Sequence, residues 1–261
     1  MTEWNAADYE RISGLQQAMA EEVLALLDFK GSERILDVGC GNGKITAEIA
    51  ARVADGSVLG VDPSQEMITF ASSHYDAAAY PNLRFEIGDA RSLPYREEFD
   101  VVVSFNALHW IRQQDEALQS IYAAMKPGAR AQLRLVCDGS RRSLEHVIEE
   151  TCFSPRWAQY YQGFHQPYLH LTPEQYSEAA ERNGLQVTHV ETEDKSWDFK
   201  SRSAFEAFGE VTFVEWTRLL PVQEELNFTA DVLDRYRLIA CERPGEENTF
   251  KFYQMNISLR R

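Results

Sequence analysis

The chain has 261 residues, 44% of them apolar and 26% charged, and a formal net charge of -15. That length accommodates one large domain with an insertion, and that composition belongs to a folded globular protein rather than a disordered or fibrous one. The negative field repels phosphate backbones and anionic bilayers, so neither nucleic acid nor a membrane surface is expected as a partner. Cys40, Cys137, Cys152 and Cys241 form no CxxC pair and share no regular spacing. They read as reduced thiols of an intracellular protein, with no metal site. Met1 leads into a polar segment, with no apolar signal region and no apolar run near ~18 residues, which predicts a cytoplasmic protein.

Residues 6–29 carry Ile12, Leu15, Met19, Val23, Leu26 and Leu27 at helical spacing, which predicts one amphipathic helix. Ahead of a core fold such a helix covers a sheet or lids a ligand, and Trp4, Tyr9 and Gln16 are its candidate ligand-facing residues. Strand and helix patterns then alternate: strands at 34–38, 57–62, 83–87 and 99–105, helices at 43–53, 64–75 and 115–125, and a fifth strand at 131–136 after the Lys126-Pro127-Gly128 stop. The 99–105 strand is almost continuously apolar, as expected in the middle of a parallel sheet. This alternation predicts a doubly wound α/β sheet. Beyond residue 138 the pattern turns helical and aromatic, with Phe153, Trp157, Tyr160, Tyr161, Phe164 and Tyr168, then Phe205, Phe208, Phe213 and Trp216. Two further strands are expected at 186–192 and 249–259, and the helical stretches 139–184 and 201–243 are expected to cap the strand ends.

Four features fall at the carboxyl ends of the predicted strands, where open α/β sheets bind ligands. The first is the turn Asp37-Val38-Gly39-Cys40-Gly41-Asn42-Gly43, whose glycines admit a ligand to the backbone N–H groups. The second is Asp62, 21 positions after Gly41, which can accept both hydroxyls of a ribose. Asp89 is the third, an acceptor for an adenine amino group; the loop Asn106-Ala107-Leu108-His109-Trp110 is the fourth. A dinucleotide fingerprint would need glycine at position 44, which is Lys44, so an NAD-linked enzyme is disfavoured.

The run Asp-x-Gly-x-Gly-x-Gly, followed in order by Asp62, Asp89 and Lys126-Pro127-Gly128, resembles the class I S-adenosylmethionine-dependent methyltransferases over roughly residues 34–136. The resemblance implies a Rossmann-like, seven-stranded, mostly parallel sheet with an antiparallel last strand, a helical cap, and S-adenosylmethionine as cofactor. It implies one methyltransferase domain over 1–261: an N-terminal helical lid to residue 30, a cofactor-binding core over 31–138, and the two cap insertions. The cofactor set is then Tyr9, Gly39, Cys40, Gly41, Asp62, Pro63, Met67, Asp89, Ala90 and Asn106.

Narrower stretches, residues 9–16, 104–111 and Phe250-Lys251-Phe252, resemble the juvenile hormone acid methyltransferases. Leu108-His109-Trp110 resembles the plant salicylate and benzoate carboxyl methyltransferases, and the region near Asp231–Tyr236 with the terminal strand is similar to the trans-aconitate methyltransferases. All three groups methylate carboxylates, which implies a small-molecule acid as substrate, with Gln16 and Trp110 holding its carboxylate. The chemistry suits those residue types. A carboxylate is ionised at neutral pH and needs no base; neutral N–H donors orient it without the full ion pair that would blunt it as a nucleophile. His109 is the candidate base for the alternative, an amine, phenol or carbon acceptor. A non-catalytic cofactor-binding module is the other alternative. Monomer and dimer stay equally open.

Overall fold

The computed structural model describes Met19, residues 22–25 and residues 27–261. Strands β1 (Arg34–Val38), β2 (Ser57–Asp62), β3 (Leu83–Ile87), β4 (Phe99–Phe105), β5 (Met125–Cys137), β6 (Gln186–Asp198) and β7 (Thr249–Arg260) form one sheet, in the order β3-β2-β1-β4-β5-β7-β6. The first five are parallel. β7 runs antiparallel to both β5 and β6. The expected seven-stranded doubly wound sheet is therefore the one observed. Val101, Val102 and Val103 of β4 are buried, as its continuous apolar run requires with both faces covered.

The helices are α1 (Lys44–Arg52), α2 (Gln65–His74), α3 (Gln114–Ala124), α4 (Leu144–Cys152), α5 (Pro173–Arg182), α6 (Arg202–Thr212), α7 (Val214–Thr217) and α8 (Val222–Ala240). Two apolar clusters bury the faces of the sheet. A third gathers α4, α6, α7 and α8 around Trp157, Trp216, Phe228 and Tyr236, and rests on Phe250 and Phe252 of β7. That third cluster is the cap, and β7 is its foundation.

Three elements depart from expectation. α5 is not cap: Tyr176, Ala179 and Ala180 belong to the same cluster as β5 and α3, so the first cap stretch ends well before residue 184. A capping box between Thr172 and Gln175, with Pro173 behind it, starts α5 sharply. β6 extends past Thr192 to Asp198 because β7 pairs with it along its whole length. Its outer half reads as polar, carrying Glu191, Glu193, Asp194 and Lys195, as an edge strand guarded against further pairing does. β5 begins at Met125, directly after α3, and the Pro127-Gly128 step shifts its register against β4 between Phe99 and Val101.

Of the predicted N-terminal helix, residues 22–25 are helical, with Val23 and Leu24 buried, while 27–30 have no regular structure. Arg134 of β5, 2% exposed, holds this segment: it donates to Glu22 Oε2 (2.6 Å) and to the Met19 carbonyl (3.3 Å), and Lys195 Nζ reaches the same Glu22 oxygen (3.0 Å). Trp4, Tyr9 and Gln16 lie outside the described residues.

Candidate active site

β1 and β4 are neighbours, and the chain leaves them toward opposite flanks of the sheet, which opens a crevice at their carboxyl ends. The turn after β1 is held from below by Val61, whose carbonyl accepts from the N–H groups of Gly39 (2.8 Å) and Cys40 (3.1 Å). Gly39 has φ +80°, and a Cβ there would lie 2.2 Å from the Ala107 Cβ, so the loops after β1 and β4 touch through a position only glycine fills. Gly41 differs: at φ +53° it has open space where a side chain would stand. Its N–H donates to Asp62 Oδ2 (3.0 Å), while Asp62 Oδ1 accepts from the Ser64 N–H (2.9 Å). The N-cap of α2 is Ser64, whose Oγ accepts from the Met67 N–H (3.2 Å), so Asp62 braces the turn rather than capping the helix. Asp62 lines the crevice, where its carboxylate is an acceptor within the reach of a ligand's hydroxyls.

Beneath the turn, Asp37 is buried and accepts from Thr46 Oγ1 (2.7 Å). Burial pushes its carboxyl up to about 7; the Thr46 hydrogen bond opposes this and the nearby Asp62 charge adds to it. Burial likewise pushes the Cys40 thiol far up, so Cys40 is a packed thiol with no nucleophilic role. Asp89, after β3, caps a short 3-10 turn, Ala90–Ser92, through the Arg91 N–H (2.9 Å). The Arg91 guanidinium grips the same carboxylate and holds it below its usual range.

Asn106 turns the chain at the end of β4. It has φ +56°, a left-handed conformation that asparagine tolerates. Its N–H donates to the Arg134 carbonyl (2.7 Å) and its Oδ1 accepts from Gln254 Nε2 (2.6 Å). His109 follows on the 3-10 turn Leu108–Trp110 and is 4% exposed. Its Nδ1 accepts the Val136 N–H (3.4 Å), so the ring proton belongs on Nε2 and the imidazole faces its surroundings as a donor. Burial, with His170 adding, keeps the ring neutral. The Trp110 ring meets that of Trp216 edge to face at 6.0 Å.

One cavity of ≈580 Å³ opens onto this crevice. The structure brings together Gly39, Cys40, Gly41, Asp62, Pro63, Met67, Asp89, Ala90, Asn106, His109 and Trp110 around it. Tyr9 and Gln16 lie outside the described residues. From the cap come Phe208, Phe213 and Trp216, with Phe250 and Phe252 of β7, but none of the aromatics at 153–168. Trp157 and Tyr161 are core, and Phe153 is exposed. Sequence reasoning did not pick out Asp37, Ser64, Arg91, Val136, Glu145 and Ile148, which also line the cavity. Asp37 carried a signal, as the first residue of the glycine run; Glu145 carried none. Asp231 and Tyr236 do not line it. Asp231 accepts from Trp157 Nε1 (2.7 Å), and the Tyr236 hydroxyl ties α8 to the Lys251 backbone (2.7 Å). Among the described residues no cluster of His, Cys, Asp or Glu is arranged to hold a metal.

Comparison with known proteins agrees with this geometry. Residues 35–128 match the family model described as a methyltransferase domain. The trans-aconitate 2-methyltransferase of Deinococcus radiodurans is 28% identical over 258 residues, covering 95% of each chain. Among solved structures, the YcgJ protein from Bacillus subtilis superposes with a TM-score of 0.68 at 18% identity, covering 94% of this chain and 98% of that one. Phosphoethanolamine N-methyltransferase 2 from Haemonchus contortus, in complex with S-adenosyl-L-methionine, superposes with a TM-score of 0.62 at 19% identity, covering 98% of this chain and 56% of that one. The chain is an S-adenosylmethionine-dependent methyltransferase that resembles the class I enzymes, with its methyltransferase domain matched over residues 35–128. The crevice suits that cofactor: open space over Gly41, where a Cβ would intrude, two carboxylates on successive strand ends, and a buried acid under the turn. No helix among the described residues is long and apolar enough to cross a membrane.

Proposed function

We propose that this methyltransferase esterifies the carboxylate of a small acid whose body is apolar. The carrying observation is the composition of the cavity beyond the cofactor turn. Its cap wall presents aromatic rings and two carboxylates, Glu145 and Glu215, and no cation; the cations that line the cavity, Lys44, Arg91 and Arg112, come from the loops of the cofactor half. The four cap arginines that a polyacid would use are committed to other partners: Arg141 to Asp194, Arg142 to Glu150 (2.7 Å), Arg156 to Glu224 (3.4 Å) and Arg202 to Glu206 and Asp234 (2.8 and 3.1 Å). This sets the acceptor apart from that named for the trans-aconitate relatives, while the reaction type, methyl transfer to a carboxylate, is the same.

When bound, S-adenosylmethionine supplies an electrophilic methyl on a cationic sulfur. The glycine turn and Asp37 would hold its amino-acid end, Asp62 its ribose and Asp89 its adenine amino group, with Pro63, Met67, Ala90 and Asn106 in the walls and Tyr9 as a further candidate contact. Trp110, with Gln16, orients one carboxylate oxygen by N–H donation. His109, a neutral donor with Nδ1 occupied, positions this loop rather than removing a proton. The aromatic wall excludes water and takes up the apolar body. A carboxylate reaction asks for no base, which fits a site whose histidine has its ring lone pair taken up by the Val136 N–H. An amine or hydroxyl acceptor would need one, and Glu145 is the group in the cavity that favours this second reading.

The test is esterification across an acid panel read by mass spectrometry. Apolar monoacids should be turned over and polyacids such as trans-aconitate should not. Along a straight-chain series kcat/KM should rise roughly threefold to fourfold per added methylene until the cavity is filled, from about 0.8 kcal/mol each. Trp110→Phe should lower kcat/KM about tenfold or more while cofactor affinity holds. Turnover of trans-aconitate in preference to every apolar acid would reverse the assignment.

A further inference from the structure

The cap end of the cavity is not uniformly apolar. Two buried polar atoms there have no hydrogen-bond partner among the described residues: Oε2 of Glu145 and Nε1 of Trp216. Both residues line the cavity; Glu145 is 9% exposed and Trp216 0%. An unmet buried donor or acceptor is destabilising, so each calls for an explanation in a bound group.

The two share a wall. Both belong to the cap side of the cavity, and the Trp216 ring lies 6.2 Å from that of Tyr168. Trp216 is also the edge-to-face neighbour of Trp110, so this wall lies one ring beyond the donor assigned to the reacting carboxylate. His170 brings no counter-charge to Glu145, because burial holds its ring neutral.

We propose that Glu145 and Trp216 form a subsite for a hydroxyl carried on the apolar body of the substrate. The proposal rests on the carboxylate reading only for the other end of that molecule. A hydroxyl donates its O–H to Glu145 Oε2 and accepts the Trp216 N–H, meeting both atoms at once. An ammonium would leave the indole N–H unmet, a carbonyl oxygen would leave Glu145 unmet, and a second carboxylate would face Glu145 with like charge. The subsite makes the enzyme selective for oxygenated acids over plain hydrocarbon ones.

The experiment uses the full chain with a saturated straight-chain acid, its mid-chain and terminal hydroxy forms, and its terminal amino form. Esters are quantified by mass spectrometry, and binding is measured by calorimetry with S-adenosylhomocysteine present. A hydroxy form should be preferred over the parent acid by about tenfold or more, because the site's buried polar atoms stay unpaired with the parent. Trp216→Phe, which keeps a ring and removes only the N–H, and Glu145→Leu should each bring that ratio toward unity; if Glu145→Leu does not fold, Trp216→Phe decides. Equal use of parent and hydroxy acids, a preference that Trp216→Phe leaves intact, or preference for the amino form would overturn the subsite. So would a methyl ether formed at the hydroxyl, which would make Glu145 a base. If hydroxy acids bind with a preference sensitive to Trp216→Phe but no ester forms, the subsite stands and the carboxylate reading is what fails.

Discussion

Asp37 illustrates how one buried side chain couples two equilibria to pH. In the folded chain burial lets it keep its proton up to about 7, against an ordinary aspartate value of 3.8. Between those values the unfolded chain has released a proton that the folded chain still holds. Stability of the ligand-free protein therefore falls as pH rises from about 4 to about 7, by a few kcal/mol at most. Cofactor binding runs the other way. The ionised carboxylate attracts the cationic end of S-adenosylmethionine, so affinity should increase as pH climbs through about 7, and Asp37→Asn should flatten that rise in calorimetric titrations. Gly39 and Gly41 make a second contrast. Gly39→Ala drives a Cβ into Ala107 and should cost about 1–3 kcal/mol in urea unfolding. Gly41→Ala meets open space, so its stability cost should be about 1–2 kcal/mol, from the left-handed backbone alone, with the larger loss in cofactor affinity. Equal behaviour of the two variants would remove the distinction between a packing glycine and a cradle glycine. The sequence made these residues legible because alternate glycines and a carboxylate ending each strand are local patterns. Glu145 and Trp216 were not legible for the opposite reason. A glutamate in the first turn of a helix ordinarily complements the helix dipole, and a tryptophan in an aromatic stretch is ordinarily core. Only the packing of α4 against α7 and α8 exposes what they lack.

At the scale of elements, the N-terminal segment is fastened by one buried cation. Arg134 is almost fully enclosed within the sheet, and its charge is met by Glu22, itself 44% exposed. Partial burial raises the Glu22 carboxyl, but the hydrogen bonds and charges of Arg134 and Lys195 together outweigh that and lower it. Its contribution is therefore present above the unfolded value of 4.5 and is lost as pH falls through the lower folded one. Glu22→Gln should destabilise by about 1–2 kcal/mol at neutral pH, less than a fully buried pair would, because Glu22 is half in water. The effect should fade in acid, as urea midpoints at the two pH values would record. Strands β1 to β4 were readable to the residue: β4 is a continuous apolar run, as a buried parallel strand is, while β3, an edge strand carrying Arg84 and Glu86, is set off by the Pro81-Asn82 and Gly88-Asp89 turns around it. The length of β6 was not, because an edge strand's pairing is written in its partner. α5 was assigned to the wrong layer on sequence alone: Tyr176, Ala179 and Ala180 form a narrow stripe, and a stripe does not say which surface covers it.

For the whole molecule, the net charge of -15 acts on an anionic substrate before any contact forms. An acid approaches against the field, and salt shortens its reach from about 30 Å near 0.01 M to about 8 Å near 0.15 M. For an acid substrate kcat/KM should accordingly rise with ionic strength over that range, by a few-fold, opposite to the usual steered encounter. A neutral acceptor would show no such rise. The cap rests on β7 and faces the cofactor half across the cavity, which allows acceptor selectivity to change with α4 and α6–α8 while the glycine turn keeps its geometry. The position of β7 carries a further consequence. β7 follows β6 in the chain but lies between β5 and β6, and it also carries Phe250 and Phe252, on which the cap rests. During synthesis the segment from β1 to β5 can assemble early from near neighbours, whereas β6 emerges with its sole partner in the sheet still unmade. The nascent chain therefore has to carry an open sheet edge and an unsupported aromatic cap until β7 arrives, a window in which chaperone capture competes with misassembly.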